Sequence, residues 1–164
     1  MRQSKFKKSS IALITSALAL TLTGCYGAGP NAETRLIKRV TDGAEVILKE
    51  NGANISVSNL LLVATEDGSA VVIGTFVNYS EENDSLVGLS VNGIPAVITG
   101  ETVLKQDQPI RFEGESATTK GVFSGVGAEP GVNVPLTLTF EGAGEVTKNV
   151  IVRDQRDDYK NVTK

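Results

Sequence analysis

Val134-Pro-Leu-Thr-Leu-Thr-Phe140 is the stretch that decides the fold. Leu136, Leu138 and Phe140 alternate with Thr137 and Thr139. Strict period-2 alternation is the mark of a strand with one buried and one wetted face. Working outward, Glu141-Gly-Ala-Gly144 reads as a turn into a strand at Glu145 to Val152. Upstream, Glu129-Pro-Gly131 is a turn, Gly121 to Val126 a short strand, and Ala96-Val-Ile98 and Thr102-Val-Leu104 two more. Leu86 to Val91 is a strand closed by an Asn92-Gly93 turn, and Glu81 to Asp84 is a polar loop. Ala70 to Tyr79 is rich in β-branched and aromatic residues and continuous enough to be a central strand buried on both faces. Ile55 to Val63 is a further apolar run, with Glu66 to Ser69 turning between the two. Gln106 to Pro109 and Glu113 to Thr119 read as polar connections. Residues 34–49 read as strands around an Asp42-Gly43 turn, and Asn51-Gly52 is another turn.

Many short strands with turns at roughly ten-residue spacing predict an all-β fold, an antiparallel β-sandwich with Greek-key connections of the immunoglobulin or cupredoxin kind. The expected organisation is a leader at 1–24, an anchored Cys and flexible tether at 25–33, the sandwich at 34–153 and a polar, frayed tail at 154–164. Tyr26-Gly-Ala-Gly-Pro-Asn31 has the composition of a tether.

The leader carries the most specific local pattern. Arg2, Lys5, Lys7 and Lys8 precede an apolar segment from Ile11 to Leu22. That segment is too short for a membrane span of roughly 20 residues and suits a signal peptide. It ends in Leu22-Thr23-Gly24-Cys25, which resembles the lipobox of bacterial lipoproteins. There Leu22, Thr23 and Gly24 are read by the signal peptidase, and Cys25 receives palmitate-type chains. Two or three chains, at about 0.8 kcal/mol per buried CH2, anchor a protein stably where one chain does not. The expected location is the extracytoplasmic face of the cell membrane, with Cys25 as the lipid anchor and an envelope protein as partner.

Composition excludes several chemistries. The 164 residues include no His, no Trp, one Cys and one Met, the initiator. A His-based triad, a zinc finger and a disulfide framework are impossible within this chain. All 19 acidic residues but only 12 of the 16 basic ones follow Cys25, so the mature chain carries −7. A nucleic-acid partner is not expected, because counterion release needs a basic footprint. Glu81, Glu82 and Asp84 cluster in one loop without the alternate-residue ligand spacing of an EF-hand, and read as a solvated loop. Ser116 and Lys120 are the nearest pair to a Ser–Lys dyad, with no helix pattern to fix them. Any two of the carboxylates could meet in space, but nothing singles out a pair for glycoside hydrolysis. Gly125-Val-Gly127 and Gly142-Ala-Gly144 read as hairpin turns, since no helix pattern follows to make a phosphate cradle. No catalytic residue, cofactor or resident metal is expected.

The stretch Val134 to Val150 resembles the C-terminal hairpin of the periplasmic copper chaperone family PCuAC. Gly74-Thr-Phe-Val-Asn-Tyr-Ser80 followed by Asp84-Ser-Leu-Val-Gly-Leu89 is similar to that family's segment, in which a central strand ends at Asn and a D-x-L-V-G strand follows. With the lipobox added, the chain looks like the actinobacterial branch, the LpqE-type lipoproteins. The resemblance covers roughly residues 55–152 and implies the sandwich fold. It does not carry the copper chemistry. The family holds Cu(I) with His and Met, soft donors that suit that ion. The matching stretches here, about Thr118 to Phe123 and Pro95 to Gln106, hold no His, Met or Cys. The expectation is a non-catalytic binding or scaffolding module, for which loops 81–84, 92–95 and 114–120 form one candidate end and the edge strands another surface. The alternative is copper handling with degenerate or partner-supplied ligands.

Overall fold

The alternation at Leu136, Leu138 and Phe140 becomes a strand whose three apolar side chains are at most 2% exposed, hydrogen-bonded on both edges. In the computed structural model the described residues are 41–50 and 52–164. The leader, the Leu22 to Cys25 lipobox, the tether and residues 34–40 of the first strand region lie outside them, as does Asn51 of the Asn51-Gly52 turn. Among the described residues eleven strands follow in chain order: β1 (Ala44–Leu48), β2 (Ile55–Ala64), β3 (Ala70–Asn78), β4 (Asp84–Val91), β5 (Ile94–Pro95), β6 (Val97–Gly100), β7 (Val103–Leu104), β8 (Ile110–Phe112), β9 (Thr119–Phe123), β10 (Asn133–Phe140) and β11 (Gly144–Asp154). A 3-10 turn at Asp157–Tyr159 follows.

The expected all-β sandwich is present. Strands run in the order β5-β4-β10-β11-β2-β3-β8-β9-β6, with β1 on β2 and β7 on β4. The order folds into two layers because β11 pairs with β10 along most of its length and then, at Val152 to Asp154, with β2. Leu60, Leu62, Val72, Phe76, Phe112 and Phe123 from one layer meet Leu86, Leu89, Leu136, Leu138, Phe140 and Val150 from the other. Phe76 sits at the centre, its ring centroid 5.0 Å from that of Phe112 and 6.3 Å from that of Phe140. Such tilted pairs add about 0.5–1.5 kcal/mol to their burial.

Several local readings need correction. Pairing is not purely antiparallel: β11–β2 and β8–β9 are parallel. The Ile110–Phe112 strand was hidden in a polar context, because Arg111 and the flanking Pro109 and Glu113 dilute a three-residue apolar signal. Gly125 and Gly127 do have positive φ, at 68° and 59°, but they lie in the β9–β10 crossover rather than a hairpin. Asp42-Gly43 is a bend leading into β1, and the strand expected before it falls on residues outside the described ones. Its glycine answers a close approach: a Cβ there would lie 2.3 Å from the Asn59 carbonyl carbon. Asn59 itself has φ 54° and marks a bulge between Ser58 and Leu61. The bulge shifts the inward set of β2 from Ile55 and Val57 to Leu60 and Leu62, which breaks simple alternation.

The Asn92-Gly93 turn is as read, with φ 51° and 80°, the two positive values that a two-residue hairpin turn demands. β3 is central and buried on both faces over its first half, where Ala70, Val71 and Val72 are all 0% exposed. The cause of that double burial lies at the end of the chain. The frayed tail of the sequence reading is instead a strap. After Asp154 the chain folds back over the outer face of β2 and β3, and Val162 is 6% exposed there against Leu61, Val63 and Val71.

Candidate functional site

The stretches that the family resemblance matches to copper-ligand segments are 95–106 and 118–123, and folding brings them side by side. β6 and β9 pair antiparallel, with Val97 opposite Val122, Ile98 opposite Gly121 and Thr99 opposite Lys120. Gly121 faces the core, where a Cβ would come within 3.2 Å of Leu89, Phe112 and Val72 side chains. By alternation Lys120 and Val122 face outward, and with them Thr99 and Val97. The outward face at this place is therefore two valines, a threonine and a lysine.

Lys120 is committed to two partners. Its Nζ is 3.4 Å from Glu113 Oε1 and donates to the Thr163 carbonyl at 2.7 Å. Glu113 sits just after β8 with φ 66°, and its side chain is 15% exposed. Ser116 is exposed in the same loop, and Lys120 makes its hydrogen bonds to Thr163 rather than to Ser116. The Ser116–Lys120 dyad is thus not assembled.

A second polar place is built by Asn78 and Asp84, the Asn and Asp of the resembling segment. Asn78 is 1% exposed. Its Nδ2 donates to the Glu82 carbonyl at 2.7 Å and the Leu104 carbonyl at 3.0 Å, and its Oδ1 accepts from the Ser80 N–H at 2.9 Å. All three links are to backbone groups, one of them 26 residues away, so the side chain is a splice holding β3, the 81–84 loop and β7 together. Asp84 accepts the Gly142 and Ala143 N–H groups, each at 2.8 Å, and so clamps the β10–β11 turn onto the start of β4. Between them lies a polar pocket of about 80 Å³ lined by Gly52, Ser80, Glu82 and Asn83. The carboxylate that a cation would need is already occupied by backbone donors. Sequence reading placed Glu81, Glu82 and Asp84 in one solvated loop and missed this clamp. The signal that could have found it is the pairing of a lone Asp at a strand start with a Gly-Ala-Gly turn far along the chain.

The three loops of the expected binding end do not cluster. Loops 81–84 and 92–95 flank the eight-residue strand β4 and lie at its opposite ends, roughly 25 Å apart at 3.2–3.4 Å per residue. Charged contacts gather instead on the strap. Arg153 reaches Asp42 Oδ2 at 2.5 Å, and Tyr159 Oη is 3.5 Å from the same oxygen. Hydrogen bonding to Asp42 raises the Arg153 pKa further, and burial followed by the Asp42 charge raises that of Tyr159. Lys164 pairs with Asp67 and holds its carboxyl well below the usual carboxylate range.

No known family model matches the chain, and no curated protein matches it. Solved structures do. The apo PCuAC domain from PmoF1 superposes with a TM-score of 0.56 at 24% identity, over 68% of this chain and 99% of that one. The copper-bound PCuAC domain from PmoF2 gives 0.56 at 19% identity, over 68% and 98%. The apo PmoF2 PCuAC domain gives 0.55 at 19%, over 69% and 96%. The fold is thus that of PCuAC domains, and almost the whole of each such domain is covered. At this level of identity the fold is what is shared.

Proposed function

We propose that this chain is a bacterial envelope lipoprotein: a sandwich with the PCuAC-domain fold, tethered through Cys25 on the extracytoplasmic face, acting as a non-catalytic binding or scaffolding module. The observation that carries the reading is the Leu22-Thr23-Gly24-Cys25 step at the end of a signal-type leader. In support, Val97, Thr99, Lys120 and Val122 stand on the outward face formed by the two matching stretches, and the chain after Met1 holds no His or Met and only Cys25. Valine, threonine and lysine offer Cu(I) nothing it prefers. Tethering raises the concentration of the sandwich near other envelope proteins, so a weak interface suffices. The LpqE-type branch is the assignment that fits lipobox and fold together. Growth with a palmitate analogue tests the anchor: label is expected on the wild type and lost in Cys25→Ser, which leaves the membrane fraction on carbonate washing. A Cys25→Ser variant that stays membrane-bound overturns the reading.

The second reading, copper handling with partner-supplied ligands, is favoured by one observation, that a domain of this fold is known in a copper-bound form. Copper tolerance of a deletion strain separates the two. Heightened copper sensitivity would favour copper handling, and unchanged tolerance is expected.

A further inference from the structure

The outer face of the β2/β3/β9/β6 layer carries one continuous apolar row across four strands. Val63 stands opposite Val71, Val71 opposite Val122, and Val122 opposite Val97. Leu61 and Ile73 form a second rung beside it. Exposure changes along the row: Val63 and Val71 are 0% exposed, Val122 is half-buried and Val97 is 65% exposed. The cause is the strap. Val162 covers the Val63–Val71 end, and among the described residues nothing covers Val97.

The strap is held by contacts an extended peptide of similar chemistry could reproduce. Lys120 Nζ donates to the Thr163 carbonyl at 2.7 Å, Lys164 pairs with Asp67 of the β2–β3 turn, and Val162 drops onto the valine row. Gln155 Nε2 donates to the Val162 carbonyl at 2.7 Å. A groove of about 450 Å³ remains between the strap and that turn, lined by Thr65, Asp67, Gln155, Lys160 and Lys164. The strap is joined to β11 through Asp157, which takes φ 51°, a left-handed value that Asp adopts more readily than most residues with a Cβ. One buried side chain and exposed ion pairs make a weakly held segment, the low-stability end of a fold from which switching elements are drawn.

We propose that this outer face is a binding site for an extended polypeptide segment presenting a β-branched apolar residue with a lysine two positions further on, and that the C-terminal strap, as Val162-Thr163-Lys164, occupies it in cis. An incoming segment that also covers Val97 gains apolar area that the strap leaves in water, which gives it an advantage over the cis occupant. This deepens the binding-module reading and rests on it only for biological meaning, since the site exists whether or not Cys25 is acylated.

The test uses the full chain and a fluorescent peptide with the sequence of residues 155–164. Val162→Asp expels the strap by placing a charge on the apolar row. Saturable binding of the peptide to V162D is expected, at least tenfold weaker binding to the wild type, whose own strap competes, and none by a peptide carrying the same Val-to-Asp change. A folded V162D that fails to bind the peptide overturns the proposal. In case V162D does not fold, amide exchange on the wild type decides. Strap amides at Tyr159 and Val162, which bond to the Arg156 and Tyr159 carbonyls, are expected to exchange at least 100-fold faster than those of β2 and β3. Strap exchange that occurs only with global unfolding overturns it. Neither readout depends on the lipid anchor, so failure here and failure of the anchor are separate results.

Discussion

Replacing Asp84 with Ala removes the two carboxylate oxygens that receive the Gly142 and Ala143 N–H groups at 2.8 Å. Hydrogen bonds to a charged acceptor contribute about 1.5–3 kcal/mol each when fully sheltered. Gly142 is exposed, so water replaces its bond at little net cost, whereas Ala143 is 7% exposed and keeps most of its penalty. The expected loss is about 2–3 kcal/mol, which for a domain of this size lowers Tm by roughly 6–12 °C. Asp84→Asn is expected to cost nearly as much, because its amide NH2 would face a backbone N–H. Glu82 supplies the fold with its carbonyl rather than its carboxylate, so Glu82→Ala should stay within about 0.5 kcal/mol. Urea unfolding with unchanged m-values is the assay. A D84A loss below about 0.5 kcal/mol, or equal losses for D84A and E82A, would refute the clamp. Stabilisation of the wild type by Ca²⁺ that D84A abolishes would refute it in favour of a cation site.

Phe76→Ala should cost about 3–5 kcal/mol by urea unfolding, since its fully buried ring packs on Phe112 and Phe140 at the meeting of the layers. Gly43→Ala should destabilise by about 1–3 kcal/mol or more through collision with the Asn59 backbone, whereas Gly52→Ala, with φ 80° and open space around it, should cost only about 1 kcal/mol from its backbone conformation; thermal melts of the pair separate the two causes. Tyr159 is raised above its ordinary 10.0 by burial and by Asp42, so the phenol's contribution to strap docking is intact below pH 10 and lost as pH rises through the raised value. Absorbance titration of wild type minus Tyr159→Phe should show a late-titrating tyrosine, and strap amides should lose protection over the same alkaline interval.

What the sequence made legible depends on where a physical rule acts alone. Leu136, Leu138 and Phe140 obey alternation because β10 has one face on the core and regular neighbours on both edges. Asn92-Gly93 is legible because a two-residue turn leaves few residues able to take positive φ at both positions. β2 is only half legible: the Asn59 bulge shifts its phase, so Leu60 and Leu62 face in where strict alternation from Ile55 would put Leu61. β8 escaped because three residues cannot establish a period. The strap escaped for another reason. Its charges at Asp154, Arg156, Asp157, Asp158 and Lys160 are those of a solvated tail, and one valine decides its place. No rule of composition reveals a single anchoring residue whose partner, the Val63–Val71 row, is assembled only by the fold.

The residues that carried the likeness to PCuAC domains turn out to be the ones that hold the sandwich together. Asn78 splices three backbone segments, Asp84 clamps a distant turn, and the Val134 to Phe140 strand supplies Leu136, Leu138 and Phe140 to one core layer. None of them faces the outward surface of β6 and β9. The fold and the chemistry of that surface are therefore specified separately, by side chains on opposite faces of the same strands. On β9 the division is visible residue by residue: Thr119, Gly121 and Phe123 belong to the interior, whereas Lys120 and Val122 stand on the outer face. Here what docks is the chain's own C-terminus, with Thr163 on Lys120 and Val162 beside Val122. A surface that takes a peptide strap needs apolar rungs and one backbone-seeking cation, and those are the residues that stand on it.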